Sequence, residues 1–319
     1  MTLPQIPNLK IEQVTDDILL VHQIKPPFHF SCSDGLILLP KKERNTRTIV
    51  LDLNIEPNLI IELNNIYGPV KNYICSHGHM DHIAHVHQWE TIGAEIFAPF
   101  PEHTYLLDLH NFYRGFGFID AMEFSVIKEF AEKNGYRKCQ NVSSFKPGHI
   151  FKFEELMIET IPFLGHSKSH VGLLIPKERV LHLSCLGFDI LEHGKDGFGP
   201  WYGFSECSIE QYLKNISQAE SIFLEHASFL TSSHAYIVKN PDNTPFTYMR
   251  KKITKNQDLV DFAINSHGIT SKSEDTIKYL LNLDLFFPKR KMRGFLLDIY
   301  NFWESNIIHK HVERSKYLK

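Results

Sequence analysis

Residues 70–93, VKNYICSHGHMDHIAHVHQWETIG, carry the densest chemistry in the chain. The first part of the run, through Cys75, is β-branched and aromatic and reads as a buried strand. From Ile83 the apolar residues Ile83, Val86 and Trp89 fall three apart, which predicts a helix ending near Gly93. Between strand and helix stands His77-Gly78-His79-Met80-Asp81-His82, three imidazoles and a carboxylate on one turn. If the strand geometry persists by one more pair, His77 and His79 project alike. Asp81 and His82, at the helix start, then aim at a second point nearby. Neutral imidazole and carboxylate oxygen suit Zn²⁺, and also Fe or Mn.

Outward from this turn, strands and helices alternate. Residues 11–53 contain three short β-rich runs, and 58–68 has helical spacing that stops at Gly68. Residues 94–100 read as a further strand. The alternation indicates a layered α/β core. Residues 103–146 interrupt it with two predicted helices rich in Phe and Tyr, after which strands resume in 149–163, 170–176 and 179–185. A helix is predicted over 209–221, with 222–234 returning to strand and loop. After Pro241 and Pro245 the patterns are mostly helical. The expected organisation is a catalytic domain over 1–244, containing the aromatic insert, and a helical region over 245–319.

The bulk properties exclude several classes. With 319 residues and 43% hydrophobic content there is ample material for a large core. The net charge of −3 gives no reason to expect nucleic acid or an anionic membrane as partner. No apolar stretch approaches the roughly 20 residues that span a bilayer, and the N-terminus has no signal-peptide pattern. Five cysteines without a CxxC pair suit a reducing compartment, so a cytoplasmic location is expected.

The His77–His82 turn resembles the metal-binding signature of the metallo-β-lactamase superfamily, and further pieces follow in that family's order. TIVLDLN resembles the strand whose aspartate, here Asp52, supports the ligands from behind. PFLGHSKSHVGLLIP resembles the Gly-His turn that supplies a third histidine, here His166, and FLTSSHAYI resembles the late Ser-His turn, here supplying His234. The resemblance covers roughly residues 10 to 240. It implies a four-layer αββα sandwich with the metals at the edge of two packed sheets. It also implies that His77, His79 and His166 hold one ion and Asp81, His82 and His234 the other. Two zinc ions are expected, with one ion, or Fe or Mn, as the alternative. The nucleophile would be a hydroxide between the metals, and Asp81 would serve the reaction as well as the ion.

The sequence departs from that pattern in places. Asn54 stands where the family usually has Gly. The bridging aspartate is replaced, in ungapped reading, by Cys185, and the nearest carboxylate is Asp189. Three outcomes are open: the Cys185 thiolate binds one or both metals, Asp189 reaches the site, or the second site is weakened. His85 lies three residues past His82 and reads as a histidine that packs behind the ligands, or else as an extra ligand or substrate contact. His170 is expected behind the ligands. His226 reads as structural, and His182 lies in a strand interior without a motif.

FGPWYGFSEC, residues 198–207, resembles a Gly-Pro-Trp-Tyr-Gly segment of one hydrolase-like branch of the superfamily, and Tyr202 is a candidate donor to the substrate or its oxyanion. The aromatic insert reads either as a substrate wall for an apolar or aromatic acyl compound, or as core or homodimer packing. The basic run from Lys289 could touch RNA or phosphates, but reads first as a solvated helix face. The C-terminal helices resemble small appendages on hydrolases of the superfamily. The function expected is hydrolysis of a small ester, thioester or lactone by metal-bound hydroxide. The alternatives are sulfur oxidation at a single iron, phosphodiester cleavage on the same scaffold, or a silent metal-binding protein.

Overall fold

A computed structural model describes residues 3–28, 30–40, 47–187, 190–191, 195–196, 199–234 and 237–318. Among these, the first sheet runs in chain order: β1 (Leu9–Thr15), β2 (Ile18–Gln23), β3 (Gly35–Leu38), β4 (Thr48–Leu51), β5 (Val70–Ile74), β6 (Glu95–Pro99) and β7 (Ser143–Phe145). Pairing is antiparallel through β4 and parallel from β4 to β7. The switch follows from the connections. A tight turn joins β1 to β2, whereas helix α1 (Pro57–Tyr67) carries the chain back from β4 for β5.

The second sheet is formed by β8 (Ile150–Phe153), β9 (Leu156–Pro162), β10 (Val171–Ile175) and β11 (Val180–His182), followed after a two-stranded excursion, β12 (Ile190–Leu191) and β13 (Lys195–Asp196), by β14 (Phe229–Thr231) and β15 (Val238–Lys239). Its order is β15-β14-β11-β10-β9-β8.

Period-two alternation assigns the layers. Ile49 and Leu51 of β4 face a cluster shared with Leu173 and Ile175 of β10, the seam between the sheets. Val50 and Leu174 point the other way, into a cluster that includes the helices. The result is a four-layer αββα sandwich, as the resemblance implied.

The turn after β5 begins α2 (Met80–Ile83), and α3 (Val86–Thr91) follows it. The single helix expected from Ile83 is therefore two pieces, broken at His85. In the insert, α4 (His103–Leu107) and α5 (Leu109–Gly115) divide one expected helix at Asp108, whose side chain accepts from the His110 N–H and caps the second. Helix α6 (Phe124–Lys133) completes the insert. Most of its aromatic residues are core: Tyr105, Phe112, Phe116, Phe118 and Phe130 are buried, and Tyr113 and Phe124 half-buried.

Helix α7 (Ile209–His226) runs five residues past the predicted end. The apolar run Ile222–Phe223–Leu224 fits a strand locally, but Phe223 continues the buried stripe of Tyr212, Ile216 and Ala219.

The C-terminal residues form α8 (Thr244–Ser266), α9 (Glu274–Leu281) and α10 (Phe295–Arg314). Val260, Ile264, Leu280 and Ile308 make a small core of their own, while Phe246, Met249, Ile253, Trp303 and Ile307 join the main one. Lys289, at the head of the basic run, is not solvated. It is buried against Glu304 of α10 at 2.5 Å and donates to the Leu281 carbonyl. Among the described residues no helix is long and apolar enough to cross a membrane.

Candidate metal centre

Two groups of ligand-type side chains meet at one edge of the sandwich. In the first, His166 Nε2 lies 3.1 Å from both His77 Nε2 and His79 Nδ1. In the second, Asp81, His82, Cys185 and His234 offer ligand atoms within 4.8 Å of one another. His82 Nε2 is 3.0 Å from Cys185 Sγ and 3.6 Å from Asp81 Oδ2, and His234 Nε2 is 3.2 Å from Asp81 Oδ2.

Each element contributes for a local reason. The chain leaves β5 extended, and His79 is still extended (φ −68°, ψ 154°) as it starts α2. Gly78 lies so close to the Tyr105 ring that a Cβ there would meet it at 2.5 Å. Its N–H is held by Glu102 Oε2 at 2.6 Å, and Glu102 Oε1 accepts from the Ser169 N–H at 2.9 Å. One buried carboxylate thus ties the first histidine turn to the His166 turn. Gly165 lets α7 pack on that turn, since a Cβ would meet the Tyr212 backbone at 2.4 Å. Asp52 and Ser184 are non-glycine residues at φ 57° and 53°, a conformation kept where a site demands it.

Hydrogen bonds behind the ligands fix which nitrogen faces inward. His166 Nδ1–H donates to the Trp201 carbonyl at 2.9 Å. His77 Nδ1 is 2.8 Å from Ser76 Oγ, which lies 2.6 Å from Ser184 Oγ, and Ser184 donates to Asp52 Oδ2 at 2.7 Å. Asp52 Oδ2 is also 3.1 Å from His82 Nδ1, and Oδ1 accepts from the Ser76 N–H. With their Nδ1 protons committed this way, the Nε2 atoms of His77 and His166 present lone pairs to each other. That arrangement is repulsive alone and attractive around a cation. A Zn–N bond of about 2.0–2.1 Å in tetrahedral geometry sets nitrogens about 3.3 Å apart, close to the spacing here. The donor set fits a metal ion.

Electrostatics agree with this. Burial, then the charges of neighbouring imidazoles, holds His77 and His79 well below the usual histidine range, and burial pushes His166 down to about 3. All three are neutral, as ligands must be. Burial would raise Asp52, but His82 and His182 outweigh it and keep the carboxylate ionised.

Several expectations change in detail. His85 does not share a face with His82, because α2 ends at Ile83. Its ring packs against Gly135, neither ring nitrogen has a hydrogen-bond partner among the described residues, and burial lowers it to about 4. The His170 ring lies 4.8 Å from those of His77 and His166. The Tyr202 hydroxyl, expected to meet substrate, is buried among the C-terminal helices instead, bonded to Asn256 Nδ2 at 2.6 Å and His311 Nε2 at 3.0 Å. Asp189 falls outside the described residues. Sequence reasoning gives no sign of Glu102, Ser76 or Ser184, and none of a site role for His182. His182, bonded to Thr231 and Ser233, sits 3.7 Å from Asp52. Asn54 is more than a replacement for glycine: its Nδ2 donates to the Ser31 and Asp81 carbonyls and its Oδ1 accepts from the His85 N–H.

No family model matches the sequence, and no curated protein does. Solved structures do. The metallo-β-lactamase family protein TTHA1429 from Thermus thermophilus aligns with TM-score 0.62 at 14% identity, over 97% of this chain and 94% of its own. The mono-zinc form of the metallo-β-lactamase FIM-1 from Pseudomonas aeruginosa aligns with TM-score 0.53 at 16% identity, over 78% of this chain and 96% of its own. The metallo-β-lactamase DIM-1, in a crystal exposed to ceftazidime, aligns with TM-score 0.52 at 16% identity over 78% and 99%. Likeness at such identities speaks for architecture. The chain has the metallo-β-lactamase fold, with a metal site of the His-x-His-x-Asp type at the edge of its two sheets.

Proposed function

We propose that the protein is a metal-dependent hydrolase of a small ester, thioester or lactone, with zinc as its metal. The observation that carries this reading is the pair of adjoining ligand groups at one sheet edge. His77, His79 and His166 would hold one ion, and Asp81, His82, Cys185 and His234 a second. When bound, such ions lower the pKa of water toward neutrality and polarise a carbonyl oxygen. The chain's own residues do the rest. Asp52 orients His82 directly and His77 through Ser76 and Ser184, Trp201 orients His166, and Glu102 locks the two turns together. Of the three outcomes open at the bridging position, the 3.0 Å approach of Cys185 Sγ to His82 favours binding by Cys185.

Access is one-sided. His79 lies under the rings of Phe116 and Phe204, at 5.0 and 4.7 Å. Asp81 and His234 keep 20% and 29% of their side chains exposed while the other ligands are buried, so substrate would approach from their side. The two aromatic rings over His79 suit an acyl group rather than a polyanion.

Metal quantification on purified protein, with a panel of acyl and phosphodiester substrates, tests the reading. Zinc with esterase or lactonase turnover, both lost in His79→Ala, is expected. One iron per chain without hydrolysis would favour the oxygen-dependent alternative, and a folded protein that takes up no metal would end the proposal.

A further inference from the structure

A second polar group stands at the open side of the site and takes no part in holding metal. Strand register places Lys10, His22 and Asp34 in one row. Lys10 pairs with His22 across β1 and β2, and the Val21–Gly35 pair sets Asp34 beside His22. Their faces are fixed by alternation. Leu20 and Leu36, two residues away from His22 and Asp34, belong to the cluster between the sheets. The row therefore points toward the second sheet but lies beyond its apolar seam, at the rim. The Asp34 N–H donates to the Ser233 carbonyl at 2.8 Å, which fastens the row to the turn that carries His234.

Within the row, Asp34 is buried and its Oδ1 lies 2.5 Å from His22 Nδ1, while His22 keeps 43% of its side chain exposed. A carboxylate at Nδ1 fixes the ring's orientation and leaves Nε2 facing outward, where it can meet a molecule entering past Asp81 and His234. We propose that His22, held by Asp34, is a specificity-determining residue that binds a carboxylate on the substrate, away from the bond being hydrolysed. The inference rests on the hydrolase reading and narrows it to acyl compounds that carry an acid group. Protonated, Nε2–H would donate a charge-assisted hydrogen bond to the carboxylate oxygen. The groups that face the ring are Asp34, whose hydrogen bond raises its pKa against the opposing effect of burial, and His234 and Lys10, which lower it. Binding should therefore weaken as pH rises and the imidazolium loses its proton.

The test uses the zinc-loaded full chain and two esters of similar length, 4-nitrophenyl butyrate and mono-4-nitrophenyl succinate. Calorimetric binding of succinate provides a readout free of turnover. In His22→Gln, the succinyl ester should lose about tenfold in kcat/KM and succinate about tenfold in affinity. The neutral ester should stay within about twofold, with metal content and melting temperature unchanged. His22→Lys, which keeps a cation, should restore part of the loss. Wild-type protein that fails to bind succinate, or a folded and metal-replete His22→Gln protein with unchanged succinate affinity, overturns the proposal. If neither ester is turned over while the succinate difference persists, the hydrolase reading fails and the anion site stands.

Discussion

Asp52 holds two candidate ligands at once, His82 by direct contact and His77 through two serines. Replacing it with Asn keeps the shape and removes the charge. Asp52→Asn should weaken zinc binding about 10- to 100-fold, as loss of a ligand's orienting partner does, in a protein that still folds. Competition against a chromophoric chelator measures this, and equal affinities would remove Asp52 from the metal-binding machinery. Glu206 offers a test free of metal. Its carboxyl is buried, with Lys168 no nearer than 3.9 Å, and burial raises its pKa to about 8. An unfolded glutamate ionises near 4.5, so the folded state binds the extra proton between the two values. Stability contributed by the protonated form is complete below about pH 4.5 and is lost as pH rises to about 8. Glu206→Gln should therefore melt higher than wild type at pH 8, with the difference shrinking toward about pH 5. A constant difference across that range would contradict the assignment. The candidate ligands were legible because four of them fall within six residues and the others sit on short recognisable turns. Glu102, Ser184 and His182 were not, because their roles exist only once distant segments meet. Ser184 and Asp52 are 132 residues apart in sequence.

The loop of residues 199–204 shows how an element far from the histidine turn shapes it. It gives His166 its carbonyl partner and lays Phe204 on His79. In turn it is gripped by the C-terminal helices. The Tyr202 hydroxyl meets Asn256 of α8 and His311 of α10, Lys310 donates to the Phe204 carbonyl, and Trp303 packs edge-on against Trp201. His311 donates from Nδ1 to Gln257, so its Nε2 accepts from the tyrosine. Tyr202→Phe leaves the half-buried Asn256 and the buried His311 without this partner and should cost about 1–3 kcal/mol in denaturant unfolding. It should also weaken zinc binding severalfold, by loosening Trp201 against His166. Loss of stability with no change in zinc affinity would show that the loop does not position the ligand. The place of Tyr202 after Cys185 suggests a substrate donor, but no periodicity predicts that a helix a hundred residues later will claim the hydroxyl. The same limit explains why α7 reads short in the sequence, where Phe223 is helical because of the core stripe it completes.

At the scale of the molecule, the metal site ties together the two sheets that form the sandwich. His77, His79, Asp81 and His82 follow β5 of the first sheet, while His166, Cys185 and His234 lie on connections of the second. An ion held there would clamp the layers, so chelation should lower the melting temperature and zinc should restore it. At free zinc of about 100 times Kd the gain is about 2.7 kcal/mol. A melting temperature insensitive to both would mean that no bound ion bridges the sheets. The layered architecture was readable because alternation in the strands and three-residue spacing in the helices are local signals. The shared packing of the C-terminal helices with the main core was not, since it depends on which faces remain after the sandwich has closed. The most direct measurement is anomalous diffraction at the zinc edge from a zinc-loaded crystal. One peak is expected enclosed by His77 Nε2, His79 Nδ1 and His166 Nε2, and a second among Asp81, His82, Cys185 and His234. A well-ordered crystal whose zinc peaks all lie elsewhere would contradict the assignment of this edge as a metal centre.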